Sequence, residues 1–195
     1  NTMKIIKPKK LQKGDVVGVV SPSEPITQNL KKQFDEAVAA LQGFGLKLKF
    51  GKHIFDQYFY NAGTKKARIE DFNEIWKDPE VKMILMSQGG ETANHLLDGI
   101  DYEAIKNNPK IFAGISDGTT LLNAIFSKTG LVTYHGPDLL WTFGRKITEP
   151  YKQNFIKTFF DGNVGQLQEN KNWEHQKRKE KGRKRINLSL LFNWR

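Results

Sequence analysis

An apolar run that stops at a serine and turns at once into a helical pattern leaves a chain few ways to fold. Here Ile111-Phe112-Ala113-Gly114-Ile115 halts at Ser116, and Leu121, Leu122, Ile125 and Phe126 follow on one helical face. The pattern predicts a buried strand, a sharp turn and a helix. Asp117 at the junction is expected as N-cap or first-turn residue, its carboxylate accepting from free backbone N–H groups of that helix. A serine at such a turn presents Oγ outward, and the N–H after it can face a developing oxyanion, which makes Ser116 a candidate nucleophile. The same residues also read as a strand end whose serine bonds its own backbone. The residues around them bear on the choice.

The same unit recurs along the chain. Asp15 to Ser21 reads as a first buried strand ending in Ser21-Pro22-Ser23, and Thr27 as the cap of a helix carrying Leu30, Phe34, Val38 and Leu41. Leu46 to Phe50 alternates as a strand. The stretch between Gly51 and Gly63 is aromatic-rich and irregular, with its rings expected to pack. Thr64 starts a helix with Ala67, Ile69, Phe72 and Trp76, closed by Pro79. Val81 to Met86 is the next strand and runs into Ser87-Gln88-Gly89-Gly90, followed by a helix near Thr92 to Leu97. Leu131 to Tyr134 reads as another strand, running into His135-Gly136-Pro137, and a last helix spans about Glu149 to Phe160.

Strands alternating with helices at this spacing predict an α/β fold, a mostly parallel sheet with helices on both faces. Ligands of such sheets sit beyond the carboxyl ends of the strands, where Ser21-Pro22-Ser23, Gln88-Gly89-Gly90, Ser116-Asp117 and His135-Gly136-Pro137 all fall. Gly89-Gly90 lets backbone N–H groups approach a reacting carbonyl, or is simply a tight turn. The histidines are His53, His95, His135 and His175. Only His135 is predicted at the sheet edge that holds Ser116, either as a base or as part of a structural turn. No dinucleotide fingerprint, P-loop or metal-ligand spacing is present, so no cofactor and no metal are expected.

Cysteine is absent from the 195 residues, which fits a reducing compartment, and no run reaches membrane-span length. A cytoplasmic protein without a membrane partner is expected. The net charge is +10, but eight Lys or Arg against two Glu between Lys171 and Arg185 supply +6 of it. That concentration reads as a solvated tail ahead of a phosphate-gripping surface, so a nucleic-acid partner is not favoured.

The opening runs from Lys7-Pro8 to Ser21-Pro22-Ser23, and Gln88-Gly89-Gly90-Glu91-Thr92, Leu96-Leu97, Ile100-Asp101-Tyr102, Asn108-Pro109-Lys110, Gly114-Ile115-Ser116-Asp117 and His135-Gly136-Pro137 follow in order. Together these segments resemble the LD-carboxypeptidase family of serine peptidases (family S66), which includes murein tetrapeptide carboxypeptidases and microcin C immunity peptidases. The resemblance implies a Rossmann-like N-terminal half and a smaller β-rich C-terminal half, usually as dimers. It implies Ser116 as nucleophile, backbone N–H groups of Gly90 and Asp117 as oxyanion hole, and Gly89, Glu91 and His135 on the substrate side. The implied reaction releases a C-terminal residue, typically D-Ala from an L,D-bond of a murein-type peptide, in cytoplasmic recycling. The immunity branch instead cuts a peptidyl- or aminoacyl-nucleotide amide. Glu91-Thr92 stands where murein enzymes often carry Tyr-Gly, which leans towards that branch.

The family completes its triad with a glutamate and a histidine of the C-terminal half, and this chain contains neither. Asn187 to Asn193 resembles a family segment preceding that glutamate, but a Lys/Arg-rich run stands between Trp173 and Ile186. The expectation is a frameshifted or prematurely ended gene. It would leave an α/β domain over residues 1–165, with residues 166–195 a linker and aberrant basic tail. Loss of a triad member removes roughly four to six orders of magnitude from the rate, so an impaired enzyme, or a non-catalytic module binding a peptide or nucleotide, is expected. Surface left bare by the missing half predicts homodimerisation or looser association.

Overall fold

The computed structural model describes residues 4–163 and Gly165. In chain order, the strands are β1 (Val16–Val20), β2 (Lys47–Phe50), β3 (Gln57–Tyr58), β4 (Asn61–Ala62), β5 (Val81–Met86), β6 (Ile111–Gly114) and β7 (Tyr134–His135). The helices are α1 (Lys31–Gly43), α2 (Lys65–Lys77), α3 (Tyr102–Asn107), α4 (Thr119–Thr129) and α5 (Glu149–Phe155). Five strands form one sheet in the order β2-β1-β5-β6-β7, each neighbouring pair parallel. The strand order reverses direction at β1 and β5, which makes the gap beyond their carboxyl ends the switch point of the fold.

Both faces of the sheet are covered, and alternate strand residues divide between them. Val17, Val19, Met83, Leu85, Ile111 and Ala113 point to the layer of Ala37 and Leu41 of α1, with Phe155 of α5 and Leu140, Phe143 and Phe159. Val20, Ile84, Met86 and Phe112 point to the layer of Phe72, Ile75 and Trp76 of α2, with Ile105 of α3 and Leu121, Leu122 and Ile125 of α4. Strands buried on two sides must be apolar throughout, which is why β5 reads Val-Lys-Met-Ile-Leu-Met with only Lys82 exposed. Phe72, Trp76 and Phe112 meet in a triangle of ring centroids, each pair 5.5 Å apart.

Thr64 caps α2, its hydroxyl accepting from the Ala67 N–H at 3.2 Å, and Gly130 ends α4 in the left-handed conformation at φ 76°. Elsewhere the elements depart from the sequence pattern for local reasons. The expected Leu131–Tyr134 strand is reduced to β7. Ile6 takes up the preceding backbone groups, donating to Gly130 O and accepting from Val132 N, each at 2.8 Å. Thr27 precedes a 3-10 turn, Gln28–Leu30, and makes no side-chain cap. In α1 the inward positions are Ala37 and Leu41. Phe126 lies at the edge of the α4 face and stays 38% exposed. The pattern near Thr92–Leu97 forms only a 3-10 turn, Ala93–Leu96, and the last helix divides into α5 and a wider π-helical turn, Ile156–Phe160. The proposed tail, residues 166–195, lies outside the described residues.

Phe112 is fully buried between the β6 backbone and two aromatic neighbours. Phe112→Ala is expected to lower unfolding free energy by about 3–5 kcal/mol in urea titrations, through lost transfer energy and the cavity left behind.

Candidate active site

Ser116 lies two residues beyond β6, begins the 3-10 turn Ser116–Gly118 that feeds α4, and is exposed. Its φ is +57°, a left-handed conformation that a residue with a Cβ enters only at a cost of about 1–3 kcal/mol. The surroundings explain how it is held. A Cβ on either Gly114 or Gly118, two residues to each side, would run into the Met86 thioether. The Gly-Ile-Ser-Asp-Gly spacing is therefore steric: the elbow bends sharply against β5, and only glycine fits on its inner side. Asp117 stands in the first turn, one of the two expected places, but its side chain makes no cap. Its carboxylate is drawn across to the neighbouring turn, where Oδ2 accepts from the Ala93 N–H at 3.1 Å.

The turn after β5 packs directly on this elbow. An added Cβ at Gly89 would lie 2.6 Å from Ser116 Cβ and 2.9 Å from its Oγ, so glycine is what lets the two turns touch. Gly90 has φ 154°, and a Cβ there would strike the Ser23 hydroxyl. Ser23, at the carboxyl end of β1, accepts from the Glu91 and Thr92 N–H groups, both at 2.9 Å. Its Oγ also lies 3.1 Å from Thr92 Oγ1. Thr92 Oγ1 accepts from Arg68 Nη1 at 3.0 Å and donates to Asn61 Oδ1 of β4. Arg68 Nη1 donates further to Pro22 O at 2.6 Å. Among the described residues, neither the Gly90 nor the Asp117 backbone N–H donates a hydrogen bond.

Arg68 is 3% exposed on the inner face of α2. Burial pulls its guanidinium below the usual arginine range, and the nearby Asp117 charge opposes that. Among the described residues its Nε and Asp117 Oδ1 are both buried without a partner, each a cost of about 1–3 kcal/mol to folding. Gln88 braces the other flank, its Nε2 donating to Pro25 O at 2.8 Å and its Oε1 accepting from Trp141 Nε1 at 3.3 Å.

The remaining candidates are placed less tightly. Glu91 is exposed. His135 is exposed on β7 opposite Gly114, at the expected edge, and no hydrogen bond links it to Ser116 among the described residues. His53 instead has a partner: Nδ1 lies 2.8 Å from Asp71 Oδ1, and the buried Asp71 also accepts from the Lys52 and His53 N–H groups. Among the described residues no group of three or more His, Asp or Glu is placed to hold a metal, and no helix is long and apolar enough to cross a membrane. The aromatics of the 51–63 stretch pack only in part: Phe55 meets Phe34 of α1 edge-on at 5.3 Å between ring centroids, but the rings stay largely in solvent. Phe55, Tyr58, Phe59 and Tyr60 are each at least half exposed. A two-residue turn between β3 and β4 is too small to fold a ring back onto the sheet.

Comparison with known proteins decides the family. The family model "LD-carboxypeptidase N-terminal domain" matches residues 17–136. The chain belongs to the LD-carboxypeptidase family. It is 42% identical over 159 residues to the probable murein peptide carboxypeptidase of Bacillus subtilis, covering 79% of this chain and 49% of that protein. It is also 42% identical over 146 residues to the microcin C7 self-immunity protein MccF of Escherichia coli, covering 74% and 42%. The structure of MccF in complex with aspartyl sulfamoyl adenosine superposes with a TM-score of 0.76 at 40% identity, over 78% of this chain and 46% of that one. The chain spans about half the length of the curated relatives it matches.

Sequence reading missed Ser23, Asn61, Arg68 and Thr92 as one group, because they come from four separate turns and helices. One signal was present: Arg68 precedes Phe72 and Trp76 by four and eight residues, which sets a charge on an apolar helical face. The π-helical turn Leu139–Phe143 beside Gln88 was also missed. Asp138 caps it, Oδ1 accepting from Trp141 N at 3.2 Å and Thr142 N at 2.8 Å, while Oδ2 is buried with no partner among the described residues. Burial raises the Asp138 carboxyl above the ordinary range, so the native state holds its proton more tightly than the unfolded chain. Stability from this group is therefore greatest below about pH 4 and falls as pH rises through the folded value. Asp138→Asn keeps the acceptor and removes the charge. Its unfolding free energy relative to wild type is expected to rise between pH 4 and pH 7, and Asp138→Ala, which also loses the cap, should cost about 1–2 kcal/mol at pH 4 and less at pH 7. Denaturant titrations at the two pH values check both.

Proposed function

We propose that this chain is the catalytic-serine half of an LD-carboxypeptidase that removes a C-terminal residue, D-Ala from an L,D-bond, from murein-type peptides. The observation that supports this most is the exposed Ser116 held at positive φ against the Gly89-Gly90 turn. In this reading Oγ of Ser116 attacks the scissile carbonyl, and the unengaged N–H groups of Gly90 and Asp117 receive the oxyanion. Gly89, Glu91 and His135 face the substrate. No base is in hydrogen-bond contact with Ser116 among the described residues, so the hydroxyl has nothing there to take its proton. Turnover by this chain alone is accordingly slow. We further propose a cytoplasmic protein that pairs with a second copy, with a small peptide or peptidyl-nucleotide as its partner.

A second reading is supported by Glu91-Thr92 and by the likeness to MccF: cleavage of a peptidyl- or aminoacyl-nucleotide amide. Incubation of the chain with a murein tetrapeptide and, separately, with an aminoacyl sulfamoyl adenosine, read by mass spectrometry, distinguishes the two. Loss of D-Ala from the tetrapeptide, abolished in Ser116→Ala, is the expected outcome. Cleavage of the nucleotide amide alone favours the second reading. Saturable binding of either compound with no turnover would make the chain a binding module.

A further inference from the structure

We propose that Arg68, with Ser23 and Thr92, is a positioning device that sets the Gly89-Gly90 turn against Ser116. This inference rests on the reading of Ser116 as nucleophile. The two hydroxyls form a closed set. A hydroxyl has one proton to donate and two lone pairs to accept with. Ser23 Oγ accepts from Glu91 N and Thr92 N and has its proton left for Thr92 Oγ1. Thr92 Oγ1 accepts that proton and one from Arg68 Nη1, and gives its own to Asn61 Oδ1. Every lone pair and proton of both hydroxyls is then used, so the turn cannot rotate without breaking several bonds at once.

The connections run to all the elements that meet at the switch point. Arg68 comes from α2, Ser23 and Pro22 from the end of β1, Thr92 from the turn after β5, and Asn61 from β4. The Asp117 bond to Ala93 N, one residue after Thr92, fastens the elbow to the same turn. Stability does not explain this choice. A buried guanidinium with an unpartnered Nε weakens a fold relative to an apolar side chain of similar size. What Arg68 supplies is geometry: one nitrogen, Nη1, lies within hydrogen-bond distance of two chain segments, at 2.6 Å to Pro22 O and 3.0 Å to Thr92 Oγ1. Substitution should therefore shift the turn, and a shift near 1 Å at a reacting centre costs about 100-fold in rate.

The test uses the whole 195-residue chain, with Arg68→Met, Thr92→Val, Thr92→Ser and Ser116→Ala, each first shown to be folded by amide NMR spectra. Two quantities are read: the rate at which a fluorophosphonate modifies Ser116, and hydrogen exchange of the amides at 91 and 92. Arg68→Met and Thr92→Val are expected to slow modification by about 10- to 100-fold and to speed exchange at both amides by at least about tenfold. Thr92→Ser, which keeps the hydroxyl, is expected to return both to within about threefold of wild type. If Arg68→Met does not fold, the Thr92 pair carries the test. Wild-type modification no faster than that of Ser116→Ala would overturn the nucleophile reading, and the exchange pattern then decides the positioning role by itself. Folded variants with lower melting temperatures but unchanged modification and exchange would overturn the proposal.

Discussion

A parallel sheet can be connected only through crossovers, and each crossover returns the chain so that every strand ends at the same edge. All else in this protein depends on that constraint. Four of the five paired strands, β1, β5, β6 and β7, leave Ser21, Ser87, Ser116 and Gly136 just past their carboxyl ends, and the Ser21 and Ser87 hydroxyls lie 2.6 Å apart. The two helical layers make the edge rigid, because strands apolar on both faces cannot slide without exposing one of them. The Ser116 elbow at φ +57° is sustained by that rigidity.

Glycine and polar closure then do complementary work at the edge. Gly114 and Gly118 let the elbow bend against Met86, and Gly89 lets the next turn touch Ser116. Close approach of this kind strips water from backbone groups and must be met by other partners. Ser23 provides one for the Glu91 and Thr92 N–H groups, while those of Gly90 and Asp117 are left unengaged among the described residues. The arrangement carries a folding cost at Ser116, Arg68 and Asp117 that a purely structural turn would not need.

Family membership is consistent with this geometry and also marks its extent. The matched stretch covers 49% of the Bacillus subtilis relative and 42% of MccF, so the likeness reaches less than half of either protein. Within the described residues the polar groups cluster around the turn after β5, and the exposed aromatics cluster on the hairpin of β3 and β4. The Asn61 bond to Thr92 ties that hairpin to the turn.

Hydrophobic periodicity by itself determined the α/β class, the parallel strands, the elbow serine and the Gly-Gly turn, because each is local: an apolar run, a breaker, a helical face. β5 and the capped start of α2 were legible to the residue for the same reason. Tertiary structure alone decided the rest. Asp117 abandons its own helix for Ala93, Ile6 displaces most of the last strand, and the aromatics of residues 51–63 face outward. Ser23, Asn61, Arg68 and Thr92 are 7 to 69 residues apart in pairs along the chain, and no periodicity links them. Their meeting follows from the order in which the strands pair, which depends on how two apolar layers close over one sheet.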